Sequence, residues 1–233
     1  MKMVIIVITL LLCNTCKAME VTPFLAYLDS IGKKSSALFI VKNDKDTAIA
    51  VETNVLKVDL DNNNIETSEP NDEDFFIMPP QSLLQAGESQ TFRVRYIGTS
   101  TNNKTQAYRI NFNQLSLENN IDTKEATVKM LFNFSSLVFV SPQNSKPVAI
   151  SNIKNIDNGV NISIKNEGSK VLDLSQYNVS LIGSKSKKQL SWLEVSYFSG
   201  IQFILPNRER SFFISKDKIP NELGTLVSIA INE

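Results

Sequence analysis

The sequence predicts an all-β protein folded as two sandwich domains in tandem. Three observations carry that prediction. Apolar and polar residues alternate over short runs along most of the chain, and helical periodicity is nearly absent. Clusters of Asn, Asp, Gly and Pro punctuate these runs at the spacing of sandwich strands. One segment, Ser141 to Pro147 (SPQNSKP), holds two prolines and no large apolar residue, and it divides the runs into two sets of about seven. With 233 residues the chain is long enough for two such domains, each with its own core.

The first run is set apart. MKMVIIVITLLLCNTCKA has a positive end at Lys2, an apolar stretch from Met3 to Cys13, and small residues before Met19. That is the pattern of a secretory leader spanning residues 1–18, and the apolar stretch is shorter than the ~20 residues a spanning helix needs, so no stable membrane anchor is expected. Both cysteines lie inside this leader and the chain has no histidine. Thiol catalysis, histidine acid–base chemistry and Cys/His zinc sites are therefore not expected, nor is any cofactor or metal. Basic and acidic residues balance at 24 each and no basic block occurs, so no nucleic-acid partner is indicated.

In the first set, Val21 to Leu28, Ala37 to Val41 and Ala48 to Leu60 read as strands, with Asn43-Asp44-Lys45-Asp46 as the turn before the third. Asp61 to Asp74 (DNNNIETSEPNDED) reads as a solvated acidic loop without the spacing of a calcium site. Phe75 to Met78 is a short strand that must stop, or lie at an edge, at Pro79-Pro80. Gly87 turns the chain, and Phe92, Val94 and Tyr96 then alternate with Arg93 and Arg95. Ala107 to Leu117 follows, and Ala126 to Val140 (ATVKMLFNFSSLVFV) is the longest strand expected. The second set comprises Val148 to Ile153, Val160 to Ile164, Val171 to Leu181, Gln189 to Tyr197, Ile201 to Leu205, Ser211 to Ser215 and Leu226 to Ile231. The expected division is residues 19–141, a linker at 142–147, and residues 148–233.

Several stretches together resemble one family. LFIVKNDKDTAIAVETNV (38–55), PPQSLLQAGESQTFRVRY (79–96), AYRINFNQL (107–115) and SSLVFVSP (135–142) occur in the order and spacing of the periplasmic chaperones of chaperone–usher pili, and VNISIKNEGSKVLDLSQYNV (160–179) is similar to their second domain. The likeness is greater to the archaic branch than to the classical one. It implies two immunoglobulin-like β-sandwich domains in an L or boomerang, a periplasmic location, pilus subunits as clients, an outer-membrane usher as the receiving partner, and no enzyme activity. The free protein is open to self-association through the same strand that serves the client.

The resemblance also assigns roles. Val128, Met130, Phe132 and Phe134 lie two apart, so they share one face of a strand, and the family lends such a strand to a subunit that lacks one. Classical members hold the client's terminal carboxylate with a basic pair. The corresponding positions here, near Leu25 and Leu137, are apolar, so Arg93, Arg95 and Arg109 become the candidate carboxylate anchors. A secreted two-domain adhesin, or a structural pilus or coat component, is the alternative reading.

Overall fold

The computed structural model describes residues 18–62, 65–99, 103–117 and 130–232. The expected leader, residues 1–18, lies outside them apart from Ala18. No helix among the described residues is long and apolar enough to cross a membrane.

The first sandwich packs two sheets face to face. One has the strand order β1 (Met19–Thr22), β3 (Ser36–Asn43), β8 (Ser89–Tyr96), β6 (Phe75–Met78). The other has the order β2 (Leu25–Asp29), β10 (Asn133–Ser141), β9 (Gln106–Leu115), β4 (Ile49–Leu60), β5 (Glu66–Pro70), and β7 (Gln81–Leu84) also pairs with β4. Alternate residues of each strand meet in a core that includes Phe39, Val41, Val55, Phe92, Val94, Ile110, Phe112 and Val138. Phe112 stands 5.7 Å from Phe39 and 5.4 Å from Phe92, ring centre to ring centre.

The expected first strand is in fact two. Pro23 has no N–H to give a ladder, and the chain crosses there from one sheet to the other: β1 pairs antiparallel with β3, whereas β2 pairs parallel with β10. Pro79-Pro80 does the same between β6 and β7. Asp61 to Asp74 is not wholly a loop. Glu66–Pro70 pairs with Leu56–Leu60 of β4, and the Asp72 and Asp74 carboxylates accept from Val55 N–H (2.7 Å) and the Tyr108 hydroxyl (2.8 Å). Charge masked the strand signal, because β5 is exposed at every position.

The second sandwich is built from β11 (Ala149–Ile156), β12 (Gly159–Asn166) and β17 (Glu209–Ser215) against β15 (Lys187–Leu190), β14 (Asn178–Gly183) and β18 (Leu226–Asn232), with a small pair β13 (Leu172–Asp173) and β16 (Phe203–Ile204). The expected strand Gln189 to Tyr197 is corrected: its second part is helix α1 (Trp192–Ser199). Ser191 and Glu194 form a reciprocal capping box, and Gly200 ends the helix in the left-handed region. The Ser-x-x-Glu signal was present in the sequence, and the apolar run around it reads equally as strand.

One buried asparagine staples each sandwich. Asn43 donates to the carbonyls of Thr47 (2.9 Å), Leu84 (3.2 Å) and Gln85 (3.0 Å), and accepts from Lys45 N–H (3.1 Å). Asn166 donates to Lys170 O (2.7 Å) and Ile204 O (2.9 Å), and accepts from Val148 N–H and Gly168 N–H. Such carbonyls are costly to leave without a donor. Asn43→Ala is therefore expected to destabilise the protein by about 2 to 4 kcal/mol, read as a lower urea midpoint at unchanged slope.

Candidate functional site

β10 is held differently along its length. On one side it pairs with β9 from Val140↔Gln106 to Asn133↔Asn113, and Phe132 O accepts one more bond from Gln114 N–H at 3.0 Å. On the other side β2 covers it only from Leu137 to Ser141. The cover ends where Leu137 N–H donates to Phe24 O (2.9 Å) and the Ser136 hydroxyl donates to Pro23 O (2.8 Å). Upstream of Ser136, no described strand lies along that edge. Pro23 is the local cause, since the chain before it belongs to the opposite sheet.

The side chains follow the same gradient. Val140, Val138 and Ser136 are buried on the core face of β10, and Phe134, directly opposite Phe112, is half-buried at the rim of the core. Phe132 is half-buried too, beneath the Lys45 ammonium at 4.6 Å from its ring centre. Lys45 is itself held by Gln114 Oε1 at 2.9 Å. Met130 is 73% exposed and Leu131 49%. Upstream of β10 the chain thus runs out of its own core with Met130 and Leu131 exposed and Phe132 half-buried. A depression of about 320 Å³ lies at this end, its lining including Lys45, Thr47, Leu115, Leu117, Met130 and Leu131. Val128 and the segment 118–129 lie outside the described residues. The strand assigned here begins at Asn133 rather than Ala126.

The three candidate arginines are not brought together. Arg93 and Arg95 are exposed on the outer face of β8, in the sheet that does not contain β10. There Arg93 lies between Leu38 and Met78, and Arg95 between Ser36 and Phe76. Arg109 is on β10's own sheet, cross-strand from Leu137. Its guanidinium grips Glu66 of β5 with two parallel bonds, Nε to Oε1 and Nη2 to Oε2, both 2.6 Å. That pair holds the Glu66 carboxyl below its usual range and the guanidinium above its own.

Leu25 and Leu137 are direct neighbours across the β2–β10 ladder. Both pack against a small apolar cluster between the sandwiches, formed by Val58, Leu60, Ala107 and Phe139 from the first and Val171 and Leu205 from the second. Polar bonds ring the cluster. The Tyr27 hydroxyl donates to the buried Asp173 carboxylate, and its burial, reinforced by that bond, pushes the phenol well above its ordinary range. Thr105 N–H donates to Ser169 O (2.9 Å), and Thr105 Oγ1 accepts from Val171 N–H (3.0 Å). Sequence reasoning missed Lys45, Gln114 and this contact set, because each depends on residues far apart in the chain.

Residues 28–146 match the family described as pili and flagellar-assembly chaperone, PapD N-terminal domain. No curated protein matches the sequence. Among solved structures, the class 5 fimbriae chaperone CfaA is similar at a TM-score of 0.59 with 15% identity, over 93% of this chain and 99% of that one. A chain of a chaperone–tip adhesin complex of CFA/I fimbriae is similar at 0.57 and 15% identity, over 92% of this chain and 98% of that one. A chain of the CsuC–CsuE pre-assembly complex from archaic chaperone–usher Csu pili of Acinetobacter baumannii is similar at 0.50 and 15% identity, over 86% and 91%. At these identities the likeness is one of fold: two immunoglobulin-like sandwiches.

The Glu66–Arg109 pair has a pH signature. A carboxyl depressed in the folded state adds stability above its unfolded pKa, and that stability is lost as pH falls through the folded value. Glu66→Gln is expected to cost about 1 kcal/mol near neutral pH, given the half-exposed setting. The difference from wild type should shrink below roughly pH 4 and vanish in stronger acid, as measured by urea unfolding across pH.

Proposed function

The chain belongs to the pili and flagellar-assembly chaperone family, and from that premise we propose that it caps pilus subunits with the outgoing end of β10. The carrying observation is the open edge upstream of Ser136, where backbone and apolar side chains leave the first sandwich together. A subunit lacking a strand exposes a groove and unpaired edges, and so aggregates. Adding a strand satisfies both faults, with main-chain bonds supplying affinity and alternate side chains filling pockets. Val128, Met130, Phe132 and Phe134 are the proposed filling residues. Each such side chain, once buried, contributes roughly 1.5 to 3 kcal/mol, set against the ordering cost of association. Phe134 is already partly spent on its own core, so the gain falls mainly on the residues further out.

For the client's terminal carboxylate, position favours Arg109 over Arg93 and Arg95. Only Arg109 shares a sheet with β10, and a client carboxylate there would take the place of Glu66. The working units are residues 19–141 and 148–233 joined by 142–147, in the periplasm after removal of the leader 1–18, with delivery to an outer-membrane usher as the following step. The fold likeness to the Csu chaperone complex and the apolar pair Leu25–Leu137 support the archaic branch. The same open edge is where free copies would pair, which light scattering across concentration would reveal. The adhesin reading gives way to the family match.

The test is periplasmic co-expression with subunits encoded beside the gene, comparing wild type with a Met130→Asp/Phe132→Asp variant whose fold is checked by circular dichroism. Wild type is expected to co-purify with a soluble subunit, and the variant to lose it by at least tenfold. Equal recovery by the two proteins would remove the role of this face.

A further inference from the structure

Phe132 lies one residue beyond the start of β10, and yet it is held at three points. Its carbonyl accepts from Gln114 N–H at 3.0 Å, which continues the β9–β10 ladder by one bond. Its own N–H donates to the Gln114 side chain, at Oε1, over 3.4 Å, which is long for such a bond. Its ring lies beneath the Lys45 ammonium, with Nζ 4.6 Å from the ring centre. The same Gln114 Oε1 accepts from Lys45 Nζ at 2.9 Å. One oxygen thus receives both donors. That fixes the orientation of the amide, because its NH2 group could accept from neither. Lys45 is placed in turn by the buried Asn43, which accepts from Lys45 N–H and donates to Thr47 O. Core packing does not account for these contacts: Phe134 packs against the core cluster of the first sandwich, whereas Phe132 is outside it.

Parity decides what the contacts leave free. Successive residues of a strand turn their backbone polar groups to opposite edges. Leu137 N–H points to the β2 side, where it reaches Phe24 O. Ser135 and Asn133 share that parity, so their N–H and C=O groups face the same way, along the stretch that β2 does not cover. Phe132 and Phe134 have the other parity and face β9. The bonds to Phe132 therefore lie on the closed side of the strand, and the open edge stays clear.

We propose that Gln114 and Lys45 act as one clamp, a pair of positioning residues that keeps Phe132 extended in the register of β9 and so presents the open edge of the outgoing strand already ordered. This rests on the capping role proposed above and adds the residues that prepare the strand for it. A strand ordered beforehand has less freedom to lose when a partner pairs with it.

The experiment follows backbone amide exchange, residue by residue, in the nitrogen-labelled chain purified from the periplasm without any client. In wild type the rates should alternate, with Phe132 and Phe134 at least about tenfold slower than Asn133 and Ser135. Lys45→Met and Gln114→Met keep side-chain length and remove the ammonium or the amide. Each should speed Phe132 by roughly fivefold or more and leave Val138 unchanged. The double variant should be no faster than the faster single one, because both residues act through one oxygen. Lys45→Arg, which keeps a donor and a charge over the ring, should restore slow exchange. A general loss of structure would instead move Val138 and the unfolding midpoint together. Exchange at Phe132 as fast as at Asn133 in wild type, no response to either substitution, or Lys45→Arg behaving like Lys45→Met would each overturn the clamp. In co-expression with the neighbouring subunits, Lys45→Met should recover about fivefold less subunit than wild type, and undiminished recovery despite fast Phe132 exchange would overturn its presenting role. Alternating exchange in a wild type that recovers no subunit would uphold the clamp and count against the capping role.

Discussion

The parallel pairing of β2 with β10 is the constraint on which the proposed client-binding edge depends. It covers Leu137 to Ser141 and stops at Phe24 and Pro23. Were β2 one residue pair longer, it would begin to close the edge proposed above for the client. Pro23 sets the limit, because it ends the ladder and hands the preceding strand to the other sheet. Among the described residues, β10 thus has an uncovered edge at the point where it leaves its core. Edges of this kind are an aggregation hazard, and a chaperone has reason to retain one. Lys45, stacked over Phe132 and bonded to Gln114, places a charge beside the apolar residues, a common guard against indiscriminate pairing.

The outer face of that same sheet does a second job. Residues alternating with the core positions, Ala107 and Phe139 among them, meet Val171 and Leu205 of the second sandwich. Phe139 lies 4.9 Å from Phe203 across this contact, ring centre to ring centre. One strand therefore links the core, the junction and the exposed end: its even positions face the core, and Leu137 and Phe139 face the second sandwich. A substitution in β10 acts on the core of the first sandwich or on its contact with the second according to its parity.

The all-β class, the two-set organisation and most strands were legible in the sequence, because period-2 alternation is a local signal. So were the Pro-Pro break and the outward direction of Arg93 and Arg95. The misreadings have physical causes. β5 is exposed throughout and buries no side chain in the core, so no hydrophobic pattern announces it. Helix α1 is short and carries apolar residues around most of its circumference, so its capping box was the only helical cue. Val21 to Leu28 is mostly apolar on both sides of Pro23 and so reads as one run, and only the sheet assignment divides it.

The sequence by itself determined the fold class and the family likeness, since each is written in residue order and spacing, and it proposed the apolar face Val128-Met130-Phe132-Phe134. Tertiary structure alone decided where along that face the chain's own core ends. It also decided that Arg109 is committed to Glu66 while Arg93 and Arg95 stand on the far sheet, and that Lys45 meets Phe132. These are properties of non-local contacts, made between residues tens to more than a hundred positions apart, and no local pattern encodes which carboxylate a guanidinium will meet.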